Sequence, residues 1–369
     1  MLILVDCRPL QHAGQESERS RLIFWVLSAL AREKGAKCLL LVDRGWQQGS
    51  FPVIPGSSML VQRALPGRMG WRWWYDWQIP RLAKKHRPDW VMLTGGVVAA
   101  PLSAPQCIWM PVRADPKEPK IGLWLYARRL TDSLHRAESV FCFSQRDLAW
   151  LAARIPSGAG KLLLVRPFVR ATAPLSAAEK ERIKAEIARG KEFFFVDVAD
   201  AGAEDVVWLL KAFSLFKKRQ HSNMQLVMAG TPMQGLLEKL ATYKYGQDVH
   251  WCSAADAGRV RAAAYAALLL FDVDSPGAPV LEAWAAGVPV LVPRESRLGE
   301  MAGNAALSAG AADAAVLAGA MMSVYKDEAL RGRLIETGFS RLEEFGEAQT
   351  LTSVWAALME KTSHMAIIK

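Results

Sequence analysis

The chain has 369 residues, 51% of them hydrophobic, and a formal net charge of +10. That length suits two domains, and the apolar content excludes a disordered chain. The longest apolar run, around residues 262–271, is too short to span a bilayer, and residues 1–6 read as a first strand, not a signal peptide.

The charge is unevenly placed. Residues 1–170 carry 25 Lys+Arg against 12 Asp+Glu, a net +13, while residues 171–369 carry 21 against 24, a net −3. A basic first half implies an anionic partner there, and nucleic acid, an acidic membrane surface and a phosphorylated acceptor all fit. The five cysteines (Cys7, Cys38, Cys107, Cys142 and Cys252) are scattered and odd in number. They read as reduced core thiols of a cytoplasmic protein, not as a disulfide frame or zinc site.

Strands are predicted at 2–6, 38–42, 90–93, 107–110, 140–143 and 162–165, with amphipathic helices over 19–32, 123–136 and 146–154. A proline-bearing stretch at 167–174 leads into a capping box, Ser176-Ala-Ala-Glu179, and marks the linker. The pattern then restarts. Strands at 193–198, 224–229, 249–252, 268–273 and 288–293 alternate with helices at 206–219, 233–243 and 257–267. The end is helical, over 312–325, 328–345 and 348–361. Alternation of this kind predicts α/β architecture with two parallel sheets, the first domain being 1–170 and the second 171–369.

The densest signal is Asp274-Ser-Pro-Gly-Ala-Pro-Val-Leu-Glu282, continuing Ala-Trp-Ala-Ala-Gly287-Val-Pro289-Val290. Two carboxylates flank a Pro/Gly loop, followed by an Ala-rich helix, a glycine and an apolar strand. A helix N-terminus favours phosphate, and a carboxylate accepts sugar hydroxyls, so one segment can hold both halves of a sugar nucleotide.

The block resembles the E-x7-E signature of the family-4 retaining glycosyltransferases, with Gly277, Pro279, Glu282, Ala283, Ala285, Gly287, Pro289 and Val290 on pattern. The first Glu is Asp274 here, and the loop aromatic is Pro276. Further stretches are similar to the family. These are His135-Arg-Ala-Glu-Ser-Val-Phe-Cys-Phe-Ser144, Asn304-Ala-Ala-Leu307, Phe345 with Thr350, and Trp73-Trp-Tyr-Asp-Trp-Gln-Ile-Pro80 followed by Lys84-Lys-His-Arg87. The resemblance implies a GT-B fold: two Rossmann-like domains facing each other across a cleft, with a C-terminal helix returning to the first. It also implies a nucleotide diphosphate sugar donor (UDP or GDP), a glycan or lipid-linked acceptor, and no metal or other cofactor. By resemblance, Glu282 binds the donor ribose. Asp274 and the Pro276–Ala278 loop, through the N–H groups of Gly277 and Ala278, hold the sugar and phosphate, and Arg21 approaches from the opposite wall.

Three departures accompany these matches. The family's glycine-rich turn reads Glu18-Arg19-Ser20-Arg21, which keeps only the arginine. Its His-Asp segment reads Pro111-Val112. Its Arg-Lys pair, which neutralises the diphosphate, reads Ala203-Glu204. A like-charge contact at about 4 Å costs about 4 kcal/mol at an effective dielectric of about 20. Two readings therefore stand: a hexosyltransferase in cell-surface polysaccharide or glycan assembly, and a catalytically inactive GT-B-like binding or scaffold subunit.

The remaining features are read as structural. Asp272-Val-Asp274 lies inside the signature, and no metal is expected there. Trp74, Trp77 and Arg81 share one helical face, which predicts packing of these tryptophans inside the first domain, with a membrane interface or stacking on nucleic acid as the alternatives. His12 is the one histidine near the expected cleft.

Overall fold

The computed structural model describes residues 1–13, 18–44, 53–63, 65, 70, 72–110, 121–169, 174–199, 201–231, 240, 242–271, 275–310 and 313–367, with side chains at all of these except 12–13, 121–128 and 361–367. The chain forms two compact units, Met1–Pro167 with Glu347–Lys369 and Phe168–Gly346.

In the first unit, strands β1 (Leu2–Asp6), β2 (Lys37–Asp43), β3 (Ser58–Gln62), β4 (Trp90–Leu93), β5 (Gln106–Trp109), β6 (Ser139–Cys142) and β7 (Leu162–Leu164) form one sheet in the order β3-β2-β1-β4-β5-β6-β7. Every pair is parallel. The central strands β4, β5 and β6 are buried on both sides, as covered parallel sheets require. Helices α1 (Arg8–Ala13), α2 (Glu18–Lys34), α3 (Ile79–His86), α4 (Ile121–Arg136) and α5 (Gln145–Ala152) connect them.

In the second unit, β8 (Phe193–Asp197), β9 (Gln225–Ala229), β10 (Val249–Cys252), β11 (Ala266–Leu268), β12 (Val290–Val292) and β13 (Ala306–Ser308) form a parallel sheet in the order β10-β9-β8-β11-β12-β13. Its helices are α6 (Ala177–Ala188), α7 (Ala203–Gln220), α8 (Ala257–Ala262), α9 (Ala278–Ala285), α10 (Arg297–Ala302), α11 (Ala314–Lys326) and α12 (Glu328–Leu342). The capping box forms as predicted: Ser176 Oγ accepts from the Glu179 N–H, and the Glu179 carboxylate accepts from the Ser176 N–H.

In each sheet the winding direction reverses once, between β1 and β4 and between β8 and β11. Ligands of such sheets bind beyond the carboxyl ends of the strands at that reversal. These points place Asp6 and Thr94 at the switch of the first unit, and the β11-to-α9 connection at that of the second.

The last helix, α13 (Glu347–Ile367), belongs to the first unit, so residues 347–369 group with 1–167 and not with 168–346. Trp90 Nε1 donates to the Leu358 carbonyl at 3.1 Å, and Thr350 Oγ1 to that of Arg166 at 2.9 Å. This is the returning helix that the resemblance implies.

Two local predictions are corrected, and one further strand appears. Residues 263–267 were expected to continue the helix begun at 257, but α8 stops at Ala262 and β11 runs over Ala266–Leu268. Alanines favour a helix in isolation, yet between two strands small side chains fit, and Tyr265 and Ala267 donate to Phe193 and Pro289 carbonyls at 2.9 Å. The tryptophans also divide differently. Trp74–Gln78 is a π-helical turn, closed by the Ile79 N–H on the Trp74 carbonyl. Its wider register buries Trp74 completely but leaves Trp77 49% exposed, so the two do not share a buried face. Strand β3, with Met59 and Val61 half exposed, carries too weak an alternation to be read from sequence.

Candidate functional site

The signature segment builds a loop and a short helix at the switch point of the second unit. Gly277 precedes α9 at φ 113°, a conformation that glycine alone adopts without strain. Pro279 sits in the first turn, where its missing N–H costs nothing. Pro276, Gly277 and Ala278 are buried. The Gly277 N–H donates to Ser275 Oγ at 2.9 Å, a bond within the loop itself. Asp274 and the Asp272-Val-Asp274 tripeptide lie outside the described residues, as do Pro111 and Val112.

Helix α9 is anchored by Val280, Leu281, Ala283 and Trp284, all buried. Lys180 Nζ closes its other end on the Ala286 carbonyl at 3.0 Å. Burial, then the nearby Arg331 and Lys184 charges, hold the Lys180 ammonium below its ordinary value. Glu282 lies on the remaining face with its side chain 29% exposed. Its Oε2 is bound by Nη2 of Arg261, an α8 side chain only 6% exposed whose guanidinium lies 5.8 Å from the Phe195 ring centre. The expected ribose carboxylate is thus half engaged by a buried cation that sequence reasoning missed. A pair 21 positions apart on separate helices leaves no periodic trace.

At the head of α7 the departure from the family pattern is plain. Ala203, Glu204 and Asp205 are exposed, and the Gly202 N–H donates to Asp205 Oδ2 at 2.8 Å. These carboxylates suit the positive end of the helix and disfavour a phosphate there.

The first unit carries a second polar cluster at its own switch point. Asp6, 1% exposed, accepts from Trp74 Nε1 at 3.1 Å, the Tyr75 hydroxyl at 2.9 Å and the Arg8 N–H at 3.3 Å. Desolvation outweighs these bonds and pushes its carboxyl up to about 6. Thr94 Oγ1 donates to the Asp6 carbonyl at 2.7 Å. Gly95 packs closely beside it, where a β-carbon would lie 2.6 Å from the Tyr75 hydroxyl.

Arg19 and Arg21 part ways. Arg19 is 7% exposed and caps strand ends. It donates to the Met110 and Trp109 carbonyls at 3.2 and 3.3 Å, and also to that of Thr94. Arg21 lies half-buried in the first turn of α2, with its Nε unpaired among the described residues. The side chain of His12 is outside the described residues. Among the described residues, no group of three or more His, Cys, Asp or Glu could hold a metal. All five cysteines are buried and free, with burial pushing Cys38 and Cys252 up to about 12.

Comparison with known proteins agrees with this architecture. Residues 178–341 match the family model described as Glycosyl transferases group 1. No curated protein sequence matches. The fold is shared with a glycosyltransferase from Rickettsia africae ESF-5, at 13% identity and a TM-score of 0.73 over 97% of this chain and 98% of that one. It is shared with HepE of Anabaena, solved with UDP and glucose, at 14% identity and 0.70 over 98% and 100%. It is also shared with WaaG, a glycosyltransferase involved in lipopolysaccharide biosynthesis, at 14% and 0.65 over 98% of both chains. The chain has the GT-B fold.

Proposed function

We propose, from the match of residues 178–341 to the model of group 1 glycosyl transferases, that this chain is a family-4-type retaining enzyme. It moves a hexose from a nucleotide diphosphate sugar to a glycan or lipid-linked acceptor in cell-surface polysaccharide assembly. The observation that carries the reading is the position of Glu282, partly exposed on α9 one turn beyond Gly277, at the sheet's switch point.

In this reading Glu282 accepts the donor ribose hydroxyls. Asp274 and the Pro276–Ala278 loop receive the hexose and phosphate, with the Ala278 N–H as donor, and Arg21 supplies a cation. Departure of the nucleotide diphosphate builds negative charge, and stabilising such charge is usually the largest catalytic term. With Ala203 and Glu204 in the family's cation slots, Arg294, Arg297 or an arginine of the first unit such as Arg21 would take up that work. UDP is the first donor base to test, because HepE, of the same fold, was solved with it.

The acceptor is assigned to the first unit, whose basic charge suits a phosphorylated or membrane-held molecule. Trp77 is half exposed, lies tilted against Trp73 with ring centres 5.2 Å apart and carries Arg81 at 5.2 Å from its ring centre. An aromatic–cation pair of this kind suits the interface of an anionic membrane at the cytoplasmic face. Among the described residues, no helix is long and apolar enough to cross a membrane.

The exposed carboxylates at the head of α7 favour a second reading, a GT-B protein that has lost catalysis and binds only. Calorimetric titration of UDP, GDP and their sugar conjugates separates the two. Micromolar binding that disappears in Glu282→Ala supports the enzyme; absence of binding to all of them supports the scaffold.

A further inference from the structure

We infer that Arg261 is a positioning residue for nucleotide recognition, holding Glu282 by one oxygen so that the other faces the ribose diol. The inference rests on the donor reading of Glu282 given above.

The pair is asymmetric. Arg261 is buried beneath Glu282, at 6% side-chain exposure against 29%. Its guanidinium packs near Phe195, itself fully buried on β8, and its Nε has no partner among the described residues. A buried ion pair of this sort adds little net stability, because desolvating both charges offsets their attraction. Its effect on geometry is larger. A glutamate on a helix surface samples many rotamers, and fixing one before binding removes that entropy from the association. With Oε2 held by Arg261, Oε1 and its lone pairs remain for two vicinal hydroxyls.

Charge points the same way. A diphosphate and an isolated carboxylate repel, and the segment Ala203-Glu204-Asp205 adds no cation. Arg261 neutralises Glu282 from behind, so the carboxylate can accept hydroxyls without presenting a full negative charge to the phosphates. This is a role that neither helix shows alone.

The test compares UDP with 2′,3′-dideoxy-UDP, by calorimetry, in the full-length protein. The wild type should prefer UDP by about tenfold to a hundredfold, the range expected for hydrogen bonds to a charged group. Glu282→Gln and Arg261→Gln should each erase most of that preference while leaving the melting profile cooperative, and the double variant should lose no more than either single. Arg261→Lys, which keeps the charge within a smaller volume, should recover part of it and serves if Arg261→Gln fails to fold. A merely structural arginine would lower stability without moving the ratio between the two ligands. If Glu282→Gln loses the preference and both Arg261 variants keep it, the positioning role is overturned and the donor reading stands. If the wild type binds both ligands alike, or neither, the donor reading falls and this inference with it.

Discussion

Trp284 and Gly338 lie in direct contact: a β-carbon at Gly338 would stand 2.6 Å from Trp284 Cδ1 and 2.9 Å from Cγ. Trp284 is 1% exposed and sits two residues after Glu282 on α9, while Gly338 lies on α12. The orientation of the Glu282 helix is therefore set by a tryptophan that needs a glycine beneath it. Gly338→Ala should cost about 1–3 kcal/mol by overpacking, read as a lowered urea midpoint with unchanged slope. If nucleotide binding is present in the wild type, it should weaken in Gly338→Ala as well, because α9 must tilt to admit the methyl group. An unchanged midpoint would mean that the two helices separate freely.

A second prediction concerns Asp6. Its folded-state carboxyl lies at about 6 against an ordinary value of 3.8, with burial the leading cause. The folded protein thus holds this proton more tightly than the unfolded chain does. The contribution is fully present below about pH 4 and is lost as pH rises through about 6. Above that, the buried charge costs on the order of 3 kcal/mol. Asp6→Asn, which is neutral throughout, should gain stability relative to the wild type as pH rises from about 4 to about 7, with a constant difference above that. Parallel chemical-denaturation curves at pH 4, 5, 6 and 7.5 check this, and a pH-independent difference would contradict it.

Arg19 carries the third prediction. It supplies donors to carbonyls at the ends of β4 and β5, so Arg19→Ala leaves buried acceptors empty at about 1–3 kcal/mol each. The expected result is faster amide hydrogen exchange across Trp90–Leu93 and Gln106–Trp109 and a lowered melting temperature. Arg21→Ala, by contrast, should leave exchange there unchanged.

Trp77→Ala is expected to be nearly silent in stability, within about 0.5 kcal/mol, since half the side chain is in water. Combined with Arg81→Ala, it should reduce cosedimentation with vesicles containing anionic phospholipid and leave behaviour with neutral vesicles unchanged. Equal binding by variant and wild type would remove this face from the membrane proposal.

The architecture was largely legible because apolar runs of four to six residues alternate with amphipathic stretches, and burial on both faces makes that alternation blunt. Boundaries at β1, β4 and β10 follow directly from it. Reading failed where local preference and context disagreed, as at Ala263–Ala267, where strand pairing overrode alanine's helix preference. A π-helical turn likewise broke the 3.6-residue spacing that placed Trp74 and Trp77 together. The candidate site divides in the same way. Glu282 and the Gly277 turn were visible because their spacing is local. Arg261, Arg19 and the aromatic clamp on Asp6 were not, because each joins residues 21 to 91 positions apart. An acidic residue closing an otherwise apolar strand, as in Leu-Ile-Leu-Val-Asp6, was the one sequence cue to a buried carboxylate.

Because residues 347–369 complete the unit that residues 1–167 begin, the half of the protein made first is the half finished last. Until residues 347–369 are made, Trp90 lacks its partner at Leu358. The order of translation and the order of completion are thus reversed, and a nascent chain that ends between residues 167 and 347 holds an unfinished first unit.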